Sequence, residues 1–575
     1  MPIDVDHKRA GLMVPVFALR GREDDGIGDT QAVRETIDFC HRNGFGVLQL
    51  LPLNETGADN SPYNAISAFA LDPTTISLRP GDVPGLTPDI RDRHLPEDIR
   101  ASLSEGPVQY REIKPRTFAC LAEAYANFEA NELQRQTALA KEFFAFEREE
   151  ADWLDAYCLF RHLLNEYEGS DVWPDWKEEH RSYEAAKAWL ESLPDAERED
   201  AVRSMEFFAY VQWVAYRQWR AAKAFADERR VELMGDIPFG VSRYSADVWS
   251  HQDLFDLDWC GGAPPEPLFD TDEFIKEWGQ NWGIPLYDWA AHRAEDFTWW
   301  RRRTDALRAC FHYFRIDHVL GFFRIYSFPW LPTHNGEFVG LSDEEAKEKT
   351  GGRLPQFMPG PDDPAESGAR NEAQGRELLA VIQDAAEPTS LVAEDLGMVP
   401  LYVRPALREM GIPGFSIPIF ERDWDGTGEF IPVEDYHAIN LCTYATHDHF
   451  PLRTYYEDLV RRSREENGDE ARSDLGKLMR FLGWDDAHPP AEFTRDLHDA
   501  LNRAALRTPC WLTVFMITDV IGSTQRFNQP GTSSDDNWTQ RLDHSMEELE
   551  NDPATRERVN RINQLILETG RRPGD

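Results

Sequence analysis

The sequence predicts an α/β fold, a closed (β/α)8 TIM barrel carrying inserted, largely helical subdomains. Three observations lead there. Eight short apolar runs recur along 575 residues, and each ends in a polar or glycine cluster. Segments of helical periodicity lie between several of them. Acidic and histidine residues collect at the C-terminal ends of the runs, where such barrels place their chemistry.

The first run is LMVPVFAL at 12–19, followed by a GIGD turn at 26–29. GVLQLLPL follows at 46–53, VELMGDIP at 231–238 and YFRIDHVLG at 313–321. SLVAEDLG at 390–397, GFSIPIF at 414–420, INLCTYATHD at 439–448 and WLTVFMITDVIG at 511–522 complete the eight. Helical patterns occupy 30–44 and 399–411. A doubly wound open sheet is the competing architecture. It lacks support because GIGD is too short for a dinucleotide-binding glycine fingerprint.

The whole chain, 1–575, reads as one catalytic domain with three insertions. Residues 60–114, after the second strand, are rich in Pro, Gly and Asp and read as irregular. Residues 115–230 read as a helical subdomain, with apolar and aromatic residues recurring at three and four. The aromatic stripe at 207–219 within it reads as core packing. Residues 330–372, after the fourth strand, have loop composition.

The formal net charge of -42 argues against nucleic acid and anionic membranes as partners and favours a neutral or cationic ligand. Lys is scarce beside Arg. Two settings account for this balance: a salt-rich cytoplasm, or an ordinary acidic protein from a high-GC genome. The 18 Trp suit a large core, and an exposed fraction of them would suit sugar rings. The seven cysteines form no CxxC pair, which is a reduced-thiol pattern. There is no signal-peptide pattern at the N-terminus and no run of 18 apolar residues, so a soluble cytoplasmic protein is expected.

Carboxylates mark the strand ends. Asp317 follows a strand, with Arg315 two residues earlier on the same face. A cation beside a carboxylate favours its ionised form, which a nucleophile needs; a structural ion pair is the plainer reading. Glu394 and Asp395 end the next strand, and either suits a general acid held protonated by neighbouring charge and burial. His447 and Asp448 end a third, and Asp236 ends the strand at 231–238. A metal pair with His449 or His318 is an alternative for His447 and Asp448, but no HExxH-type motif accompanies it. Carboxylates around one cleft are what acetal chemistry needs, one to attack and one to protonate the leaving oxygen.

RIDHVLGF, VAEDLG, ATHD and GDIPFGV at 235–241 together resemble the 4-α-glucanotransferases, also called amylomaltases or disproportionating enzymes, a branch of the α-amylase superfamily. The resemblance continues through LPLNETGADNSPY at 51–63, SAFALDP at 67–73, GAPPEPLF at 262–269, GQNWGIPLYDW at 279–289 and RFNQPGTSSDDNW at 526–538. It implies a barrel with no separate C-terminal β-domain, maltooligosaccharides and linear α-1,4-glucans as substrates, and no cofactor or metal. It also implies site roles: Asp317 as nucleophile, Glu394 as general acid/base, and Asp448 as the acid that holds the donor sugar's hydroxyls. Arg315 matches the partner of the nucleophile, His318 and His447 match hydroxyl ligands, and Asp236 matches a supporting acid. Tyr63 matches an aromatic near the mouth, Gly262 to Leu268 the loop shaping the acceptor side, and Asn281 and Trp282 a glucan-contact motif. For Trp282 a buried packing role is the alternative. Asn528 and Pro530 match the rim. Ala445 departs from the family's usual Gly, which bears on acceptor preference. The implied reaction is glucan transfer with retention; a retaining α-1,4-glucan hydrolase with the same carboxylates is the alternative, and a catalytically silent glucan-binding protein is disfavoured because no catalytic position is lost.

Overall fold

The computed structural model describes residues 3–57, 59–265, 272–424, 426–530 and 536–572. In chain order its strands are β1 Arg9–Met13, β2 Val47–Gln49, β3 Glu232–Ile237, β4 Phe255–Ala263, β5 Gln280–Tyr287 and β6 Tyr313–Ile316. They continue with β7 Ile325–Phe328, β8 Gln356–Met358, β9 Ser390–Ala393, β10 Phe415–Ser416, β11 Leu441–Cys442 and β12 Leu512–Met516.

Eight of these form one parallel sheet in the order β10-β11-β12-β1-β2-β3-β6-β9. The sheet curls into the predicted barrel. Its two ends meet where the Ala393 N–H donates to the Pro413 carbonyl at 2.8 Å. The Asp395 carboxylate spans the same seam by accepting from the Phe415 N–H at 2.6 Å. Every predicted apolar run overlaps one barrel strand. The first strand begins earlier than its apolar run, because Arg9 and Ala10 are already in register with Leu512 and Thr513. It stops at Met13 because Pro15 follows, and proline has no N–H to give the ladder.

Local chemistry sets the barrel helices. The helix Thr30–Asn43 starts where the Asp29 side chain accepts from the Ala32 N–H, and ends at Gly44 with φ 82°. In the helical insertion, Tyr110–Phe128, Ala138–Glu166 and Asp195–Glu228 pack together. Phe208, Tyr210, Trp213, Tyr216 and Trp219 are all buried there, so the stripe is core. After β12 the described chain is helical, in Ile517–Ile521, Met546–Asn551 and Pro553–Glu568. No described helix is long and apolar enough to cross a membrane.

Two regions differ from their compositional reading. Residues 60–114 hold two short helices, Pro88–His94 and Glu97–Leu103. The stretch 330–372 holds the helix Asp343–Thr350 and strand β8. β8 belongs to a second, antiparallel sheet, β5-β4-β7-β8, that the sequence did not announce. Glycines, which read as loop, conceal the end of β4. Gly262 is needed where β5 crosses closely, since a Cβ there would lie 1.9 Å from the Gln280 carbonyl oxygen.

Candidate active site

The site lies at the C-terminal ends of β3, β6, β9 and β11. β6 and β9 are parallel neighbours with Ile316 opposite Ala393. The next residues, Asp317 and Glu394, therefore leave the barrel side by side. Paired strands lie about 4.8 Å apart, so register alone brings the two carboxylates to opposite edges of one small space.

Arg315 anchors this space from below. Its Nη1 contacts Asp236 Oδ2 at 2.6 Å and Asp317 Oδ1 at 3.0 Å. Arg315 and Asp236 are buried, whereas the Asp317 side chain remains 28% exposed and available to a ligand. The Tyr63 hydroxyl donates to Asp236 Oδ2 at 2.8 Å. The Tyr63 ring in turn stacks on His447 at 5.1 Å and 17°.

The pleat separates Glu394 from Asp395. Glu394 faces the site and accepts from the His318 N–H at 2.8 Å and the Leu396 N–H at 3.0 Å. Burial pushes its carboxyl up to about 7, with Arg315 opposing the shift and Asp317 adding to it. Asp395 points the other way, to the β9/β10 seam and to Arg404 Nε at 2.9 Å. Burial raises it too, to about 6, but it is held at the seam, away from Asp317 and Arg315.

Asp448 stands across the mouth. The Asn528 amide donates to Oδ1 at 2.6 Å, and His447 Nε2 lies 3.3 Å from Oδ2. Burial opposes its ionisation, but His447 and Asn528 outweigh burial and hold its carboxyl well below the usual range. Arg526 fixes the segment by donating to the Asp448 carbonyl at 2.6 Å. His318 takes a left-handed backbone with φ 43°, and burial pushes its imidazole down to about 4, so it is neutral at pH 7.

The remaining predicted residues divide. Trp282 stands edge-on to His318 at 4.8 Å and is 38% exposed, so it is not a buried packing residue. Asn281 is occupied elsewhere: its amide donates to the Trp330 carbonyl at 3.0 Å and Asn335 Oδ1 at 3.2 Å. Gly262 sits within β4, while Glu266, Pro267 and Leu268 of the predicted acceptor loop lie outside the described residues. Pro530 is part-buried beside residues 531–535, which are also outside them. Three neighbours escaped prediction. Trp538 packs 5.8 Å from both Tyr63 and His447, Arg526 holds Asp448, and Phe420 lies 5.2 Å from His449 with 45% exposure. Trp538 and Arg526 end the motif at 526–538, and that position was the available signal. Among the described residues, no group of three His, Cys, Asp or Glu is arranged to hold a metal ion.

A parallel eight-stranded barrel with carboxylates of contrasting environment at one mouth defines a glycoside-processing barrel enzyme. Comparison with known proteins makes the class narrower. The profile of the 4-alpha-glucanotransferase family matches residues 14–546. The 4-alpha-glucanotransferase of Chlamydia pneumoniae is 28% identical over 559 residues, covering 94% of this chain and 92% of that protein. That of Thermus thermophilus is 28% identical over 551 residues, covering 92% and 94%. In fold, the chain is similar to an amylomaltase from Streptococcus agalactiae in complex with acarbose, with TM-score 0.72, 21% identity and coverage of 98% and 100%. It is also similar to an amylomaltase from Corynebacterium glutamicum, with TM-score 0.76, 19% identity and coverage of 99% and 76%. The chain belongs to the 4-alpha-glucanotransferase family.

Proposed function

We propose that the protein transfers α-1,4-glucan segments between maltodextrins by a retaining double displacement, with Asp317 as nucleophile and Glu394 as acid/base. One observation carries this reading: two carboxylates leave adjacent paired strands, one partly exposed and in contact with Arg315, the other buried. Asp317 contacts a buried guanidinium, and burial pushes the Glu394 carboxyl up to about 7. Retaining enzymes place their two carboxyls about 5–5.5 Å apart, close to the spacing of paired strands.

In the first half-reaction, Glu394 protonates the glycosidic oxygen as Asp317 Oδ attacks the anomeric carbon. The C–O bond to the leaving glucan breaks, and a glycosyl–Asp317 ester forms. In the second, Glu394 takes the proton from an incoming 4-hydroxyl, whose oxygen displaces Asp317. A proton donor must be neutral in the first step and a base in the second, and a carboxyl near 7 serves both. Asp448 and His447 bind hydroxyls of the donor sugar, and neutral His318 adds a further hydrogen bond. Tyr63 and Trp538 wall the donor side, and Trp282 faces the acceptor. Arg315 and Asp236 position Asp317 without touching sugar. Asn528 orients Asp448, and Pro530 and Asn281 shape the rim.

All seven cysteines are free and buried, which supports a reducing, cytoplasmic setting. Incubation with maltotriose tests the reaction. A ladder of longer and shorter glucans with released glucose is expected; shortening alone would make the enzyme a hydrolase.

A further inference from the structure

We propose that Asp519 is a positioning residue for the reaction: it sets the place of Asp448 by anchoring the segment that carries it. This rests on the glucan-transfer reading above, in which Asp448 holds hydroxyls of the donor sugar. The three carboxylates of the site are not held alike. Asp317 and Glu394 each follow directly on a barrel strand, so ladder register places them. Asp448 comes six residues after Cys442, the end of the two-residue strand β11. Residues 443–451 are turns and irregular chain, and the next regular element is the helix Leu452–Ser463. The place of Asp448 therefore depends on what holds the start of that helix.

Asp519 holds it. Its Oδ1 accepts from the Leu452 N–H at 2.7 Å. Pro451 occupies the N-cap and has no side-chain oxygen, so a carboxyl from elsewhere in the chain supplies the cap. Asp519 is itself fixed. It is buried, it lies in the helix Ile517–Ile521 directly after β12, and His498 Nε2 donates to its carbonyl at 2.7 Å. Burial also keeps it from meeting sugar, so it acts through Asp448. Burial pushes its carboxyl up to about 7, while the Leu452 N–H pulls it back. In either protonation state an oxygen accepts from that N–H, and asparagine would keep the same acceptor.

Three further contacts join the same two segments. Arg453 Nη1 donates to the Gly522 carbonyl at 3.3 Å, Arg526 Nη2 to the Asp448 carbonyl at 2.6 Å, and the Asn528 amide to Asp448 Oδ1 at 2.6 Å. The chain after β12 thus grips the chain after β11 from Arg453 back to Asp448. Asp519 is the end of that grip built into the barrel core, whereas Arg526 and Asn528 reach Asp448 from irregular chain. Release of the Leu452 end lets Asp448 shift against the sugar it holds. A misplacement of about 1 Å at such a group costs on the order of 10²-fold in rate.

The test is a double-mutant cycle on the full chain, read as maltotriose turnover. Asp519→Ala should lower kcat on the order of 10²-fold with KM within about threefold, whereas Asp519→Asn should stay within about threefold of wild type in both. In Asp448→Asn protein, where the acid that Asp519 positions is already changed, Asp519→Ala should cost less than about threefold more. Leu452→Pro approaches the same bond from its other side and serves if the melting curve shows that Asp519→Ala does not fold. Proline suits the first helical position and removes the N–H that Asp519 meets, and Leu452→Ala controls for the lost side chain. Turnover by Leu452→Pro should fall about tenfold or more below that of Leu452→Ala. Equal losses from Asp519→Ala with and without Asp448→Asn, an Asp519→Asn protein as impaired as Asp519→Ala, or Leu452→Pro no worse than Leu452→Ala overturns the anchor. Near-wild-type turnover from Asp448→Asn, or absence of any product ladder from wild-type protein, would instead overturn the reading on which it rests.

Discussion

The barrel mouth and the small antiparallel sheet contribute to one site in different ways. At the mouth, Arg315 and Asp236 are buried and paired at 2.6 Å, and strand register sets Asp317 beside Glu394. On the small sheet, Trp282 stands 38% exposed, held by a strand that packs outside the barrel. A chemical centre must be preorganised, so its charges are locked by burial. A surface that meets variable acceptors needs only shape and an apolar face. On the proposed reading, the barrel sets what reaction occurs, and the sheet sets what arrives to complete it.

The largest expected effect breaks the barrel side alone. Asp317→Ala or Glu394→Gln should lower turnover on maltotriose by on the order of 10³-fold or more. Near-wild-type rates from both would end the assignment. The raised Glu394 carboxyl also sets pH behaviour. The protonated form is needed for the first step, so kcat/KM should fall on the alkaline side of about 7. Its folded value lies above the unfolded one, so folding takes up a proton between about 4.3 and 7. Glu394 therefore costs stability progressively as pH rises through that window, up to roughly 4 kcal/mol above it. Glu394→Gln should remove that dependence, seen as a smaller loss of urea midpoint between pH 5 and pH 8.

Next in size is the buried pair. Arg315→Ala leaves Asp236 without its cation and should cost about 3–5 kcal/mol in urea unfolding. Arg315→Met combined with Asp236→Asn should recover much of the stability but none of the activity. Recovery of both would show that the pair does not position Asp317.

The barrel side was also the legible side. Apolar runs with polar ends identify strands and their mouths, because the barrel repeats one rule eight times. Asp317, Glu394 and Asp448 were visible on that basis as one cluster. Glu394 and Asp395 were not separable from spacing, because adjacent residues differ only in which way the pleat turns them. The seam between β9 and β10 gives Asp395 its task, and a seam exists only once the barrel closes. The small sheet was illegible for a different reason. Its strands depend on glycines for close approach, as at Gly262, and such residues read locally as loop. Asn281 illustrates the limit: the motif placed it at the acceptor side, but its hydrogen bonds run to Trp330 and Asn335.

A smaller effect is expected from the sheet's own contact. Trp282→Ala should leave the fold within about 1 kcal/mol, since the indole is exposed. It should shift the glycosyl–enzyme toward water, lowering the ratio of transfer to hydrolysis by about tenfold as the acceptor loses its effective concentration. An unchanged ratio would move acceptor selection back to the barrel mouth, toward Phe420.

The smallest effect falls on Asn281, and it separates contact from support. Its Oδ1 accepts from the Gly283 N–H at 3.2 Å, and its amide nitrogen ties β5 to Trp330 and Asn335. Gly283 has φ 75°, so the turn beside Trp282 depends on this bracket. Asn281→Ala should cost about 1–2 kcal/mol in stability from the unpaired partners. Acceptor KM should rise a few-fold on the order set by one neutral hydrogen bond, with kcat on the donor half-reaction unchanged. Asn281→Asp keeps the acceptor for Gly283 and loses the ties to Trp330 and Asn335, so it should hold acceptor KM closer to wild type than Asn281→Ala does. If Asp is as damaging as Ala to KM while stability holds, the side chain meets sugar directly, and the division between a fixed barrel and a supported sheet must be redrawn at that residue.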